Sequence, residues 1–302
     1  MTGGNSGIGY ETVYHLARKN AKVYLAARNE KKARNSIDKL CSLELPGTIE
    51  YLHLDLAWLE SIRTFAAAFL ARERRLDILF NSAGVMLPEM GPRTHEGYEL
   101  MLGTNSLGHH YLTELLLPSL QASLAASPSN PPRVCFTSSL AHRNISDQGF
   151  TPSDPTGIHT SKPFYLPDAS RAYGTSKFCN ILSVKTFARD PRFAGIVFSA
   201  VHPGILRTEL TRDWNRGLNA VLVPVLWRVL LYPQSYGCIT QLYAATAPEA
   251  MHDNGAYFVP WARKCEPAKL ANDEHVQDAC KYGPVSILSL IHISEPTRRT
   301  PI

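Results

Sequence analysis

Tyr173-Gly174-Thr175-Ser176-Lys177 sets a phenol and an ammonium four residues apart. On a helix that spacing puts both on one face. A free tyrosine titrates near pH ~10. A cation beside it favours the phenolate, which brings the phenol toward proton transfer at neutral pH. Such a pair recurs by chance, so its meaning depends on what else the chain assembles. The turn Thr2-Gly3-Gly4-Asn5-Ser6-Gly7-Ile8-Gly9 precedes an amphipathic run. Glycines let the backbone approach a pyrophosphate, and the helix N-terminus supplies N–H groups and partial positive charge. The spacing of Gly3, Gly7 and Gly9 is not GxGxxG, and a plain turn before a helix is the alternative.

These groups need a scaffold, and the hydropathy pattern supplies one. Residues 8–20, 30–43, 59–74, 97–125 and 171–188 read as helices. Residues 21–27, 48–54, 76–81, 133–138 and 196–201 read as short buried strands. Strands spaced by helices predict βαβ units, a parallel sheet and an α/β, Rossmann-type doubly wound fold. Two stretches break the rhythm. Residues 140–169, rich in Pro, Ser, Thr and Asp, read as an insertion beside the site, and residues 204–234 as a lid.

Open α/β sheets bind ligands at the carboxyl ends of their strands. Arg28 follows the strand 21–27, where an acid would hold a free ribose 2′-hydroxyl; an arginine suits a 2′-phosphate instead. Asp55 and Leu56 follow the strand 48–54, and Asn81-Ser82-Ala83-Gly84 closes the strand 76–81. The net charge of +5 is spread along the chain, without the concentrated basic stripe of a nucleic-acid binder. Six cysteines form no CxxC pair, so neither a metal nor a disulfide framework is expected, and a reducing compartment fits. No secretory signal is visible. The apolar stretch 218–232 contains Pro224 and Arg228 and is too short to span a bilayer. The chain is expected to be cytoplasmic, with contact with a membrane surface and a homodimer both left open.

Taken together, the motifs Thr2 to Gly9, Asn81 to Gly84, Asn105, Ser138-Ser139, Tyr173 with Lys177, and Pro203-Gly204 with Thr208 resemble those of the short-chain dehydrogenases/reductases. The pattern is most similar to the retinol dehydrogenase-like branch and its fungal relatives, from about Thr2 to Lys281. The resemblance implies an oxidoreductase moving a hydride between NADP(H), preferred over NAD(H), and a carbonyl or alcohol carbon of a lipophilic small molecule. It implies Tyr173 as general acid/base and Lys177 as the group that lowers the tyrosine pKa and holds the nicotinamide ribose. Ser139 would hold the substrate oxygen and Asn105 a relay water. Gly3, Asn5, Ser6, Gly7, Ile8, Gly9, Arg28, Asp55, Leu56, Asn81, Ala83, Gly84, Pro203, Gly204 and Thr208 would contact the cofactor.

Ser82 stands where the family usually has a second asparagine, and 34 residues separate Ser139 from Tyr173, a long gap shared with the retinol dehydrogenase branch. Only Met1 precedes Thr2, so the strand that normally leads into the glycine-rich turn is expected to be missing from the sheet. Residues 1–281 read as one domain, and residues 282–302 as a non-native or disordered tail. Two alternatives stay open: a regulatory protein that binds NADP(H) without turnover, and an inactive truncated fragment of the enzyme.

Overall fold

Strands β4 (Arg133–Thr137) and β5 (Val197–Val201) are buried along their whole length. That requires cover on both faces, as in a parallel sheet wrapped by helices. Their side chains alternate accordingly. Phe136 and Phe198 face helix α7 (Asp168–Arg189), where Phe178, Ile181, Leu182 and Phe187 pack against them. Cys135 and Val201 face the other way, toward Ala244 and Ala245 of helix α8 (Gly237–Thr246). The rings of Phe187 and Phe198 stack at 5.2 Å and those of Phe187 and Phe193 lie 4.7 Å apart, which fixes α7 over the sheet.

The computed structural model describes residues 1–86, 91–144, 168–206 and 232–282. It gives helices α1 (Gly7–Ala17), α2 (Glu30–Cys41) and α3 (Leu59–Arg72), with strands β1 (Lys22–Ala27), β2 (Thr48–His53) and β3 (Ile78–Asn81). Strand β1 pairs in parallel with β2; β3, β4, β5, β6 (Ala256–Val259) and β7 (Arg263–Cys265) form a second run in that order, with β7 antiparallel. The five strands and four of the five helices expected from the hydropathy pattern are present. Strands β6 and β7 are not expected from it: runs of four and three residues carry no clear period, and β6 exists because Ala256–Phe258 can pair with Ser199–Val201. The terminal helix α9 spans Glu274–Tyr282. No described helix is long and apolar enough to cross a membrane.

The two sheets meet at one point. Thr2 makes an isolated parallel bridge to Ala26 and donates its N–H to Phe80 O at 3.0 Å. The Ala26 N–H donates to Met1 O, and the Gly3 N–H to Ala26 O, both at 2.9 Å. The order across the molecule is therefore β2-β1-(Met1, Thr2)-β3-β4-β5-β6-β7. The slot of the first strand is held by two residues. The expectation of an absent strand is refined: its last two positions are filled and ladder-bonded, and the glycine-rich turn leaves from the right place.

The expected single helix over 97–125 is broken. A short helix α4 (Leu100–Leu102) runs into one π-turn, Gly103–Leu107, then α5 (Gly108–Leu115) and α6 (Leu117–Ala126). Glu99 caps the first piece, its two carboxylate oxygens accepting from the N–H groups of Met101 and Leu102. Pro118 in the first turn of α6 explains the second break. The π-turn centres on Asn105, and such insertions are frequent at functional sites.

Candidate active site

Every expected site residue that the structure describes lies at the carboxyl end of a strand or on a helix facing that edge. Thr208, the residues around it, and most of the expected insertion, lid and tail lie outside the described residues.

At the glycine-rich turn the chain folds back on itself. Gly3 (φ 67°) and Gly7 (φ 56°) are left-handed, a conformation that disfavours any Cβ. A Cβ on Gly9 would lie 2.2 Å from Gly3 O, whereas one on Gly7 would meet nothing within 4 Å among the described residues. Gly9 is thus small because α1 packs on the turn, and Gly7 borders space that no other described residue fills. Ser6 at the N-cap makes no side-chain capping bond and no acid sits in the first turn, so the leading N–H groups of α1 remain available to an anion. Ser36 steadies the turn by donating to Asn5 O at 2.8 Å. Gly9→Ala is expected to raise the NADPH Kd by at least about tenfold, since the clash is with backbone and cannot be relieved by a rotamer. Fluorescence titration would show it; an unchanged Kd would mean that the turn is not the phosphate site.

Arg28 is exposed just beyond β1 and joins no ion pair among the described residues, so its guanidinium is free to meet a ligand. Asn29 beside it caps α2 by accepting the Lys32 N–H at 2.9 Å. Asp55 uses Oδ1 to accept from the Ala57 N–H, and its own N–H donates to Ser61. Leu56 is buried, and its carbonyl would lie 2.5 Å from a Cβ on Gly108.

A buried hub that the sequence reading did not find ties the turn to the rest of the site. Thr2 Oγ1 accepts from the N–H groups of Ser82 and Ala83, both at 2.9 Å, and lies 2.8 Å from His109 Nε2. His109 Nδ1 lies 2.9 Å from Asn105 O. A carbonyl only accepts, so Nδ1 carries the proton and Nε2 accepts from the threonine hydroxyl. Complete burial pushes this imidazole down to about 3, which keeps it neutral. The signal available in the sequence was only the four-residue spacing from Asn105 to His109.

Lys177 Nζ donates to Thr137 O at 2.9 Å and lies 5.7 Å from the Tyr173 ring centroid. Asn180 donates to the same carbonyl, and Ser138 Oγ donates to Lys177 O at 2.7 Å. Asn105 has its amide committed: Oδ1 accepts the Val85 N–H at 2.8 Å, while Nδ2 donates to Val85 O and Ser176 Oγ. A Cβ on Gly84 would sit 3.3 Å from Asn105 Oδ1 and 3.4 Å from Lys177 Nζ. The missing side chain leaves room directly beside the ammonium.

Tyr173 lies in an apolar cluster with Met101, Ala169 and Ala172, flanked by Val85, Met86 and Ala141. Burial pushes its phenol up to about 12, opposed by a hydrogen bond with Ser139. Burial also pulls the Lys177 ammonium down to about 8. In a site this dry, loss of hydration is the largest cause of both shifts, because both groups lose solvation on the charged side of their equilibrium. Pro203 is buried after β5, and Gly204 (φ 103°) abuts Pro260 and Trp261.

The sheet carries a glycine-rich turn after Thr2 and a Tyr/Lys/Ser group two strands away, beyond β4, the layout of an oxidoreductase of this fold. The chain belongs to the short-chain dehydrogenase/reductase family. The short chain dehydrogenase family signature matches residues 1–148. A short-chain dehydrogenase/reductase of Armillaria gallica is 40% identical over 277 residues, covering 91% of this chain and 85% of its own. Retinol dehydrogenase 13 of Homo sapiens is 36% identical over 283 residues, covering 91% and 80%. The Pseudomonas aeruginosa RhlG/NADP active-site complex shares the fold, with TM-score 0.66 and 22% identity over 86% of this chain and 93% of that one.

Proposed function

We propose that this oxidoreductase uses NADP(H) and interconverts a carbonyl and an alcohol on a lipophilic small molecule. The observation that carries the reading is the grouping of Tyr173, Ser139 and Lys177 around the space that Gly84 leaves open. Gly3, Gly7 and the free start of α1 fit a pyrophosphate, and Arg28 fits a 2′-phosphate. When bound, the nicotinamide would supply or accept the hydride. In reduction, Tyr173 donates its proton to the substrate oxygen while Ser139 hydrogen-bonds that oxygen. Lys177, held by Thr137 O, keeps two further N–H donors for a ribose hydroxyl beside Gly84. Asn105 fixes the loop at Val85 and the start of α7 through Ser176. The apolar residues around Tyr173, with exposed Leu140 and Ile205 nearby in sequence to Ser139 and Gly204, favour an apolar substrate.

Several relatives with solved structures are described as complexes with NADP or NADPH, which supports the cofactor assignment. Screening NADPH oxidation against a panel of aldehydes and ketones tests the whole reading; turnover of none would overturn it. Arg28→Ala is expected to weaken NADPH by roughly 10- to 100-fold, since a hydrogen bond to a charged group contributes about 1.5–3 kcal/mol. NADH affinity should hardly change. Equal losses for both cofactors in parallel titrations would show that Arg28 does not read the phosphate.

A further inference from the structure

The turn Leu140–Asn144 that follows Ser139 is a short 3-10 helix, and His142 is its one fully buried member. Its ring faces two groups at once. Nδ1 lies 2.6 Å from Ser139 O, and Nε2 lies 3.1 Å from the Ala268 nitrogen. The Ser139 carbonyl only accepts and the Ala268 N–H only donates, so the neutral tautomer with the proton on Nδ1 satisfies both. The His142 main-chain N–H also donates to Ser139 O at 3.1 Å. Both lone pairs of that carbonyl are thereby occupied, which stops the peptide after Ser139 from rotating. The Ser139 hydroxyl is oriented from the same turn, accepting the Ala141 N–H at 3.2 Å.

The turn is clamped from both sides. Toward α7, a Cβ on Gly174 would lie 2.6 Å from Ala141 O, so the backbone of the turn touches the helix next to Tyr173. On the far side, Arg143 donates to Glu266 O, the ring of His142 meets Tyr257 edge-on at 5.0 Å, and Ala268 closes on Nε2. The segment 266–268 therefore reaches the reacting serine through one imidazole.

We propose that His142 is a positioning residue for the reaction: its Nδ1–H aims Ser139 at the substrate oxygen, and its Nε2 latches the segment around Ala268 onto that serine. The inference rests on the role assigned to Ser139 above. The two ring nitrogens can be replaced separately. In His142→Asn the amide nitrogen takes the place of Nδ1, so the bond to Ser139 survives and the latch is lost. In His142→Gln the side-chain oxygen takes the place of Nε2, so the latch survives and the side-chain bond to Ser139 O is lost, leaving that carbonyl one main-chain donor.

The test measures kcat, KM, NADPH Kd and melting temperature for both variants and for Ser139→Ala, with NADPH and the fastest carbonyl compound of the panel. His142→Gln is expected to lose roughly 10- to 100-fold in kcat, the scale of a misplaced reacting group. His142→Asn should stay within about threefold of wild type in kcat, and both should bind NADPH as the wild type does. A merely structural histidine would instead lower the melting temperature of both variants without separating their kcat values, and that pattern overturns the proposal. So does wild-type kcat in His142→Gln. If Ser139→Ala keeps full kcat, the serine's assigned role falls and His142 falls with it. If Ser139→Ala is inactive while the histidine variants are indistinguishable, only the present inference fails. A panel without any turnover removes both.

Discussion

Tyr173→Phe is expected to lower turnover by roughly 10²–10⁴-fold, the usual contribution of a positioned general acid, while NADPH affinity and melting temperature stay at wild-type values. The tyrosine ring is buried among Met101, Ala169 and Ala172, and phenylalanine keeps all of that packing. What it removes is the hydroxyl that meets Ser139. Stopped-flow measurement of NADPH oxidation with a panel substrate, alongside a fluorescence titration of NADPH, separates chemistry from binding. Undiminished turnover would mean that another group carries the proton. The direction of the pKa shifts adds a pH signature. Tyr173 is pushed up to about 12 and Lys177 lies at about 8, so below that second value both hold their protons. Carbonyl reduction, which needs the phenol, should be flat with pH there. Alcohol oxidation, which needs the phenolate, should rise with pH across the same range.

Extending the first strand is expected to raise the melting temperature by of order 10 °C. The change replaces Met1 and Thr2 by Lys-Val-Ala-Ile-Val-Thr, so that the last threonine keeps the position of Thr2 and its hydroxyl hub. In the 302-residue chain the ladder between β1 and β3 ends at Met1, whose amine donates to Tyr24 O at 2.9 Å. Burial pushes that amine down to about 5, so it is held neutral against its normal preference. A longer strand turns it into an ordinary peptide N–H. It also adds about three buried apolar side chains at roughly 1.5–3 kcal/mol each. About six ladder hydrogen bonds contribute roughly 0.5–1.5 kcal/mol each. Ordering four new residues costs about 1–2 kcal/mol apiece. The balance is a gain of several kcal/mol, large against a total domain stability of about 5–15 kcal/mol, and each kcal/mol moves the melting temperature by roughly 2–4 °C at this size. A calorimetric scan of both proteins decides it. A shift under a few degrees would show that Met1 and Thr2 already complete the sheet.

The amino-acid sequence by itself determined the order of strands and helices through β5, because they show as apolar runs alternating with amphipathic ones. It also determined where the glycines of the turn must fall, and that Tyr173 and Lys177 share a helical face, since α7 carries them through without a break. Only the tertiary structure decided the rest. β6 and β7 show no clear pattern of their own; β6 forms by pairing with β5, and β7 by pairing with β6. Beside the break at Asn105, Gly103 closes against Thr94, where a Cβ would lie 2.1 Å from Thr94 Cγ2, a contact between residues nine positions apart. The role of His109 depends on Thr2, more than a hundred residues away in the chain. His142 reaches Ala268 across 126 positions. The tyrosine pKa followed the same rule: a neighbouring lysine can be read from spacing, but the burial that raises the phenol is the sum of Met101, Ala169, Ala172 and their neighbours closing around one ring.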